Sequence, residues 1–241
     1  MGKMLVVSAH PGDVLWRCAG AVAKNIKEGG EVRIISLSYG SAGESVALWD
    51  EDGMTYEKVK KTRDKQFSEA QKILGVEEAE IWGLDEYPML PTREDMRRLA
   101  KCLREFQPDT ILTHFNCDSL NPDHGSVLKY VMDSMEIAGG NGIYIAGTVP
   151  SFPRATIYCF EPHVPEASGF QPNVFVDISD VWEIKDKVMA CMSDKANIRK
   201  MYTDRAVLRA QNAKSFGRKN CEYAEAYWSV YPFAKTGNFP Q

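Results

Sequence analysis

Short apolar runs rich in β-branched residues, each followed by a stretch of helical periodicity, recur through the first half of this chain and leave few folds open to it. Residues 5–9 form the first run. A turn at Pro11-Gly12 follows, then a segment in which Ala19, Val22, Ala23 and Ile26 recur at i, i+3, i+4 and i+7, until Gly29-Gly30 stops it. Residues 32–37 read as the second strand. Tyr56–Leu74 carries Val59, Phe67, Ala70, Ile73 and Leu74 along one side and ends at Gly75, ahead of a third strand at 79–82. Thr92 is an N-cap candidate for a helix over 92–106, which Gln107-Pro108-Asp109 breaks before a fourth strand at 110–113. This alternation predicts parallel βαβ units: an α/β, Rossmann-like fold whose mostly parallel sheet has helices on both faces. Beyond residue 124 the pattern reads as a helix over 127–135, a Gly/Pro-rich stretch, strands at 155–160 and 173–177, and helical segments across 181–215. The residues from Gly217 onward fit no clear pattern.

With 241 residues and 44% hydrophobic content, the chain can bury a full core, and a single domain over 1–241 is the economical expectation. Its 29 Lys and Arg against 33 Asp and Glu give a net charge of -4, so there is no positive field to hold a nucleic acid or an anionic membrane. Small solutes are the expected partners. The N-terminal residues lead straight into a strand and no apolar run approaches the roughly 20 residues that span a bilayer, so a cytoplasmic location is expected. The six cysteines are scattered without C-x-x-C spacing, which argues for reduced thiols rather than a structural zinc site.

Ligands of an open parallel sheet bind outside the carboxyl ends of its strands. Here strand one exits into residues 8–13, strand two into 38–45 and strand four into 114–124, all polar. His10, His114 and His124 lie in the first and last of these loops. Two neutral imidazoles and a carboxylate make a common catalytic zinc set with a position left for water or substrate. His10 and Asp13 can converge across a tight turn, and His124 can reach the same ion from the neighbouring loop. Each residue alone has a plainer use, the histidine as a loop hydrogen-bonder and the aspartate as a helix cap.

The residues at these exits resemble the PIG-L or LmbE-like family, zinc-dependent N-deacetylases with a Rossmann-like fold. Its motifs read A-H-P-D-D-E and H-P-D-H; this chain has Ala9-His10-Pro11-Gly12-Asp13-Val14 and Asn121-Pro122-Asp123-His124. The resemblance covers roughly the first 130 residues and implies one Zn2+ per chain held by His10, Asp13 and His124. Two positions depart from it. The first Asp of the motif, the deacetylases' general base, is Gly12 here, and the first His of H-P-D-H is Asn121, which cannot shuttle a proton near neutral pH.

Within the family, residues 8–20 with their Trp16-Arg17 pair, Gly40-Ser41-Ala42-Gly43-Glu44-Ser45 and Phe160-Glu161-Pro162-His163 are most similar to the 4-oxalomesaconate hydratase branch. That likeness implies addition of water to a conjugated unsaturated keto tricarboxylic acid, giving 4-carboxy-4-hydroxy-2-oxoadipate, in bacterial breakdown of gallate and protocatechuate. It also implies Glu44 and His163 as the acid/base pair, without deciding which of them takes the proton from water. A polycarboxylate needs cationic and polar partners, for which Arg17, Asn121, Tyr39 and Ser41 are the candidates. Asp123, beside a ligand histidine, is expected to orient His10 or His124 rather than to bind metal. Relatives often form homo-oligomers, so an assembly is expected on the same ground. The rivals are a zinc-dependent N-deacetylase of an N-acetyl sugar derivative, with Glu44 or Asp118 as its base, and a metal-binding protein without catalysis. A nucleotide-binding role fits poorly because the first turn lacks G-x-G-x-x-G.

Overall fold

The computed structural model describes residues 2–151 and 155–232. Seven strands form one sheet in the order β3-β2-β1-β4-β5-β7-β6. They are β1 (Lys3–Ser8), β2 (Glu31–Ser36), β3 (Glu78–Ile81), β4 (Thr110–His114), β5 (Thr156–Phe160), β6 (Val174–Asp177) and β7 (Ala224–Ser229). β1 to β5 are mutually parallel, and β7 runs antiparallel between β5 and β6. The helical segments are α1 (Pro11–Asp13), α2 (Ala19–Lys27), α3 (Val46–Trp49), α4 (Tyr56–Leu74), α5 (Arg93–Phe106), α6 (His124–Gly139), α7 (Trp182–Ala190) and α8 (Ala196–Ser215). The expected Rossmann-like α/β architecture is therefore present, its sheet mostly parallel and flanked by helices.

Alternation along β1 explains the two layers. Met4 and Val6 join a core cluster with α2, α4 and α7, while Leu5 and Val7 join another with α5 and α6. A strand buried on both faces needs apolar residues at every position, which is why this one is legible as a continuous run. Local signals set the helix ends. Thr92 accepts from Asp95 N while Asp95 returns the bond to Thr92 N, and Gly75 closes α4 with a left-handed φ of 75°.

Three details depart from the sequence expectation. The helix expected over 127–135 starts earlier, at His124, so this histidine stands on the first turn of α6. The helical stretch over 181–215 is interrupted between α7 and α8 by a 3-10 turn, Ser193–Lys195. The unplaced residues after Gly217 supply β7, whose Glu225 is buried at the start of α2. Its carboxylate accepts from Gly20 N and Ala21 N at 2.9 and 2.8 Å and pairs with Lys185 Nζ at 2.6 Å. A carboxylate at a helix N-terminus takes up amides that have no partner inside the helix, so the end of the chain fixes a helix near its beginning. Residues 233–241 lie outside the described residues.

Candidate active site

β1, β2 and β4 are parallel neighbours, so their exit loops meet at one edge of the sheet. His10 follows β1 and precedes the single turn of α1, which brings Asp13 back beneath it: Asp13 Oδ2 accepts from His10 N at 2.9 Å. His124 arrives from the other side at the head of α6. The result is a compact triangle of donor atoms. His10 Nδ1 lies 3.2 Å from His124 Nε2 and 3.4 Å from Asp13 Oδ2, and His124 Nε2 lies 3.3 Å from Asp13 Oδ1. Donors on one tetrahedral ion with bonds of about 2.1 Å stand roughly 3.4 Å apart, so the spacing suits a single ion.

The outer nitrogens of both imidazoles are occupied in a way that turns the inner ones toward the triangle. His10 Nε2 lies 3.1 Å from Asp123 Oδ2, and His124 Nδ1 lies 2.9 Å from Asp118 Oδ2. Carboxylates in this position fix the ring orientation and the tautomer of a metal-binding histidine. Asp123 is itself fixed, since its Oδ1 accepts from Tyr87 N and Met89 N at 3.0 and 2.7 Å. Burial opposes a charge on His10, yet hydrogen bonds to Asp123 and Asp13 and the field of Glu44 raise its pKa to about 10. The surrounding carboxylates thus favour positive charge at this point, as a cation site requires.

His114, at the end of β4, is close to the triangle but differently engaged. Its Nε2 accepts the Ala9 amide at 3.0 Å, and its ring stacks on His124 with centroids 4.2 Å apart. Burial and the neighbouring His124 push its pKa down to about 3, so it stays neutral. A nitrogen whose lone pair takes a backbone N–H is not available to an ion. Its role is to support Asp13 and His124 from below. Among the described residues, the His/Asp/Glu groups whose ligand atoms lie mutually close are His10 with Glu44 and His124, and Asp13 with His114 and His124, while Asp13 offers one oxygen to His10 and the other to His124.

A cavity of about 270 Å3 opens above the triangle. Asp13, Arg17, Glu44, Asn121, His124 and His163 all reach it. Trp16 and Arg17 are aimed there by a π-helical turn, Val14–Cys18, of the kind that recurs at functional sites because it redirects side chains. Arg17 is not open for a bidentate clamp. Its side chain is 2% exposed and holds Glu161 O at 2.8 Å, Asp118 Oδ2 at 3.3 Å and the flank of Asp13. The guanidinium ties the metal-facing carboxylates to the loop after β5.

Glu44 enters from the loop after β2. Asn121 Nδ2 donates to its Oε1 at 2.7 Å and Lys195 Nζ to its Oε2 at 3.1 Å. Burial works against its charge, but the cationic neighbours His10 and Lys195 more than offset this and hold the carboxyl below its usual range. The loop can press so close because residue 43 is glycine; a Cβ there would meet the Tyr87 ring at 2.1 Å. His163 faces Glu44's side of the cavity, with Nδ1 3.2 Å from Tyr202 Oη. Burial and the charge of Arg17 push its pKa down to about 4, leaving a neutral imidazole. Arg205 and Arg209 fix that segment, the first through Pro162 O and His163 O, the second through the carboxylate of Glu161.

Tyr39 and Ser41 are not among the residues around the cavity. Tyr39 packs against Gly83 and under Lys60, and Ser41 donates its amide to Glu86 while its carbonyl accepts from Trp49. Proximity in the exit loop placed both on the candidate list, but the loop turns them away to anchor itself. Lys195, by contrast, carries no sequence signal. It lies 151 positions from the glutamate it touches.

Position 12 has a structural explanation. A Cβ on Gly12 would stand 3.0 Å from Trp16 Nε1 and 3.3 Å from Met192 Sδ, so the space for a side chain is already filled. No carboxylate fits there unless Trp16 or Met192 moves.

Comparison with known proteins agrees with this geometry. The family model described as PIG-L, GlcNAc-PI de-N-acetylase, matches residues 5–135. A 4-oxalmesaconate hydratase of Pseudomonas putida is 34% identical over 232 residues, covering 95% of this chain and 89% of the relative. A diacetylchitobiose deacetylase of Thermococcus kodakarensis is 26% identical over 191 residues, 76% of this chain and 66% of the relative. Among solved structures, GalB, the 4-carboxy-2-hydroxymuconate hydratase from Pseudomonas putida, gives a TM-score of 0.92 at 33% identity over 99% of this chain and 100% of that one. The buried His-Asp-His triangle thus sits on a fold and a sequence shared with these proteins, and the chain belongs to the PIG-L family.

Proposed function

We propose that this chain is a metal-dependent hydratase that adds water across a carbon-carbon double bond of 4-oxalomesaconate, giving 4-carboxy-4-hydroxy-2-oxoadipate. The observation that carries the reading is the presence of Glu44 and His163 around a cavity that Asp13 and His124 also line, with the position of Gly12 crowded by Trp16 and Met192. Similarity to the two hydratases over nearly the whole chain supports it.

His10, Asp13 and His124 would hold a divalent ion, which when bound would supply Lewis acidity toward a keto or carboxylate oxygen of the substrate. Zinc suits two imidazoles and a carboxylate. Glu44 is ionised and can accept a proton from water; Asn121 holds its Oε1 and Lys195 its Oε2, so the carboxylate keeps one orientation. His163, neutral and hydrogen-bonded to Tyr202, can deliver a proton to the carbon or enol once it has picked one up as imidazolium from solvent, while the proton that Glu44 takes from water returns to solvent. Trp16, Leu120 and Ile198 border the same space and limit the water that reaches it. The same reading makes the substrate a small polycarboxylate, the location the cytoplasm and the assembly a homo-oligomer. No helix among the described residues is long and apolar enough to cross a membrane.

Loss of the conjugated ultraviolet band of 4-oxalomesaconate on mixing with zinc-loaded protein is the expected result. An unchanged band, with acetate released from an N-acetyl sugar instead, would replace this reading with the deacetylase one.

A further inference from the structure

Lys195 already orients Glu44, and that contact uses only part of its hydrogen-bonding capacity. Lys195 ends the 3-10 turn Ser193–Lys195, and its side chain is 16% exposed. This is not a loose surface lysine. Asp194, next to it, receives Arg63 through two nitrogens at 3.0 and 2.9 Å and Gln66 Nε2 at 2.9 Å. Arg63 is buried and also reaches Ser45 Oγ and Glu44 O. One guanidinium therefore anchors both the turn that bears Lys195 and the loop that bears Glu44. The ammonium is held at a set height above the cavity.

Among the described residues around the cavity, the permanent cations are Arg17 and Lys195. Arg17 is turned inward and engaged with Asp13, Asp118 and a backbone carbonyl. Lys195 has three N–H donors, and among the described residues its carboxylate partner is Glu44 through Oε2. Its remaining donors are the ones a carboxylate entering the cavity can reach. Ile198, three residues on, and Leu120 across the opening give apolar surface for a carbon skeleton beside that charge.

We propose that Lys195 is the substrate-carboxylate anchor of this cavity, a specificity-determining residue that selects small polycarboxylates over neutral molecules of similar size. The substrate class rests on the hydratase reading. The position of the ammonium does not.

The test compares Lys195→Met and Lys195→Arg with the parent, all zinc-loaded and checked for folding by circular dichroism. Two quantities are read: KM and kcat for 4-oxalomesaconate, and the calorimetric affinity for tricarballylate, a saturated tricarboxylate that cannot be hydrated. Lys195→Met is expected to raise KM and weaken tricarballylate binding by about 10- to 100-fold, the range set by one charge-assisted hydrogen bond, and to lower kcat as well because Glu44 loses one of the two groups that orient it. Lys195→Arg should recover most of the affinity. Added salt should weaken tricarballylate binding to the parent more than to the Met variant. Lys195→Gln is the second neutral variant if the Met variant does not fold. KM and tricarballylate affinity both within about 3-fold of the parent, or a fall in kcat alone, would overturn the proposal, the latter placing Lys195 in the service of Glu44 only. Because tricarballylate binding needs no turnover, failure of the hydratase reading and failure of the anchor give different results.

Discussion

The floor and the wall of the cavity are built in different ways. The floor, His10, Asp13 and His124, is 1 to 4% exposed, and each imidazole is backed by its own carboxylate. Its parts come from the parallel strands β1 and β4 and the helix that follows, where the sheet itself fixes distances. The wall, Glu44, His163 and Lys195, is half-buried, and its parts come from three loops held by ion pairs: Arg63 with Asp194, and Arg209 with Glu161. A floor of this kind preorganises an ion site with little freedom, while a wall assembled by long-range clamps can change its chemistry without disturbing the ion. The relatives of this chain include proteins named as a hydratase and as a deacetylase.

The comparison is most severely tested at the floor. His124→Ala removes one of the three proposed ligands, and the zinc that the parent is expected to take up, measured by atomic absorption, should fall to negligible, taking hydration with it. Retention of tight zinc would overturn the assignment of His124, because the His/Asp/Glu groups found among the described residues all include it. At the wall, Glu44→Gln should leave zinc in place and lower kcat by about 10^2- to 10^4-fold, the usual range for a general acid or base. If zinc were lost instead, the division between floor and wall would collapse at that residue. Asp118→Asn acts one step behind His124 and should weaken zinc by about 10- to 100-fold, read by competition with a chromogenic chelator.

The clamps give smaller effects. Asp194→Asn leaves Arg63 without its charged partner and should destabilise the fold by about 2 kcal/mol in urea unfolding. Its effect should also depend on pH. Burial raises the pKa of Asp194, but hydrogen bonds from Arg63 and Gln66 and the charge of Arg63 reverse this and leave it below 3.8. A carboxylate depressed in the folded state stabilises above its unfolded pKa and loses that contribution as pH falls through the folded value. The stability gap between parent and variant should therefore be full at neutral pH and close as the solution is acidified below about 4. A gap that persisted at low pH would show that packing, not charge, holds this clamp. Smallest of all, Gly12→Ala should cost about 1 kcal/mol by crowding Trp16 and Met192, with zinc binding intact.

Much of the floor could be read from the sequence because its signals are local. A strand buried on both faces, a Pro-Gly turn and an aspartate three residues after a histidine specify a shape within a dozen residues. The carboxylates behind the imidazoles were half legible: Asp123 is adjacent to a proposed ligand and reads as its support, while Asp118 reads only as an alternative deacetylase base and not as the partner of His124. Tyr39 and Ser41 show the limit of this reasoning, since a loop's composition does not say which of its side chains turn inward. β7 was missed because an antiparallel strand added after a long helix has no neighbour in sequence to announce it.

What the sequence determined alone was the alternation of the first four strands with helices and the His-Asp turn at the first strand's exit, because both depend on residues within a few positions of each other. What only the tertiary structure decided was the wall. Glu44 and Lys195 meet across 151 positions, His163 and Tyr202 across 39, and Trp16 fills the space beside Gly12 only because a π-helical turn and Met192 place it there. Contacts of that span are set by packing of whole elements, and no local periodicity encodes them.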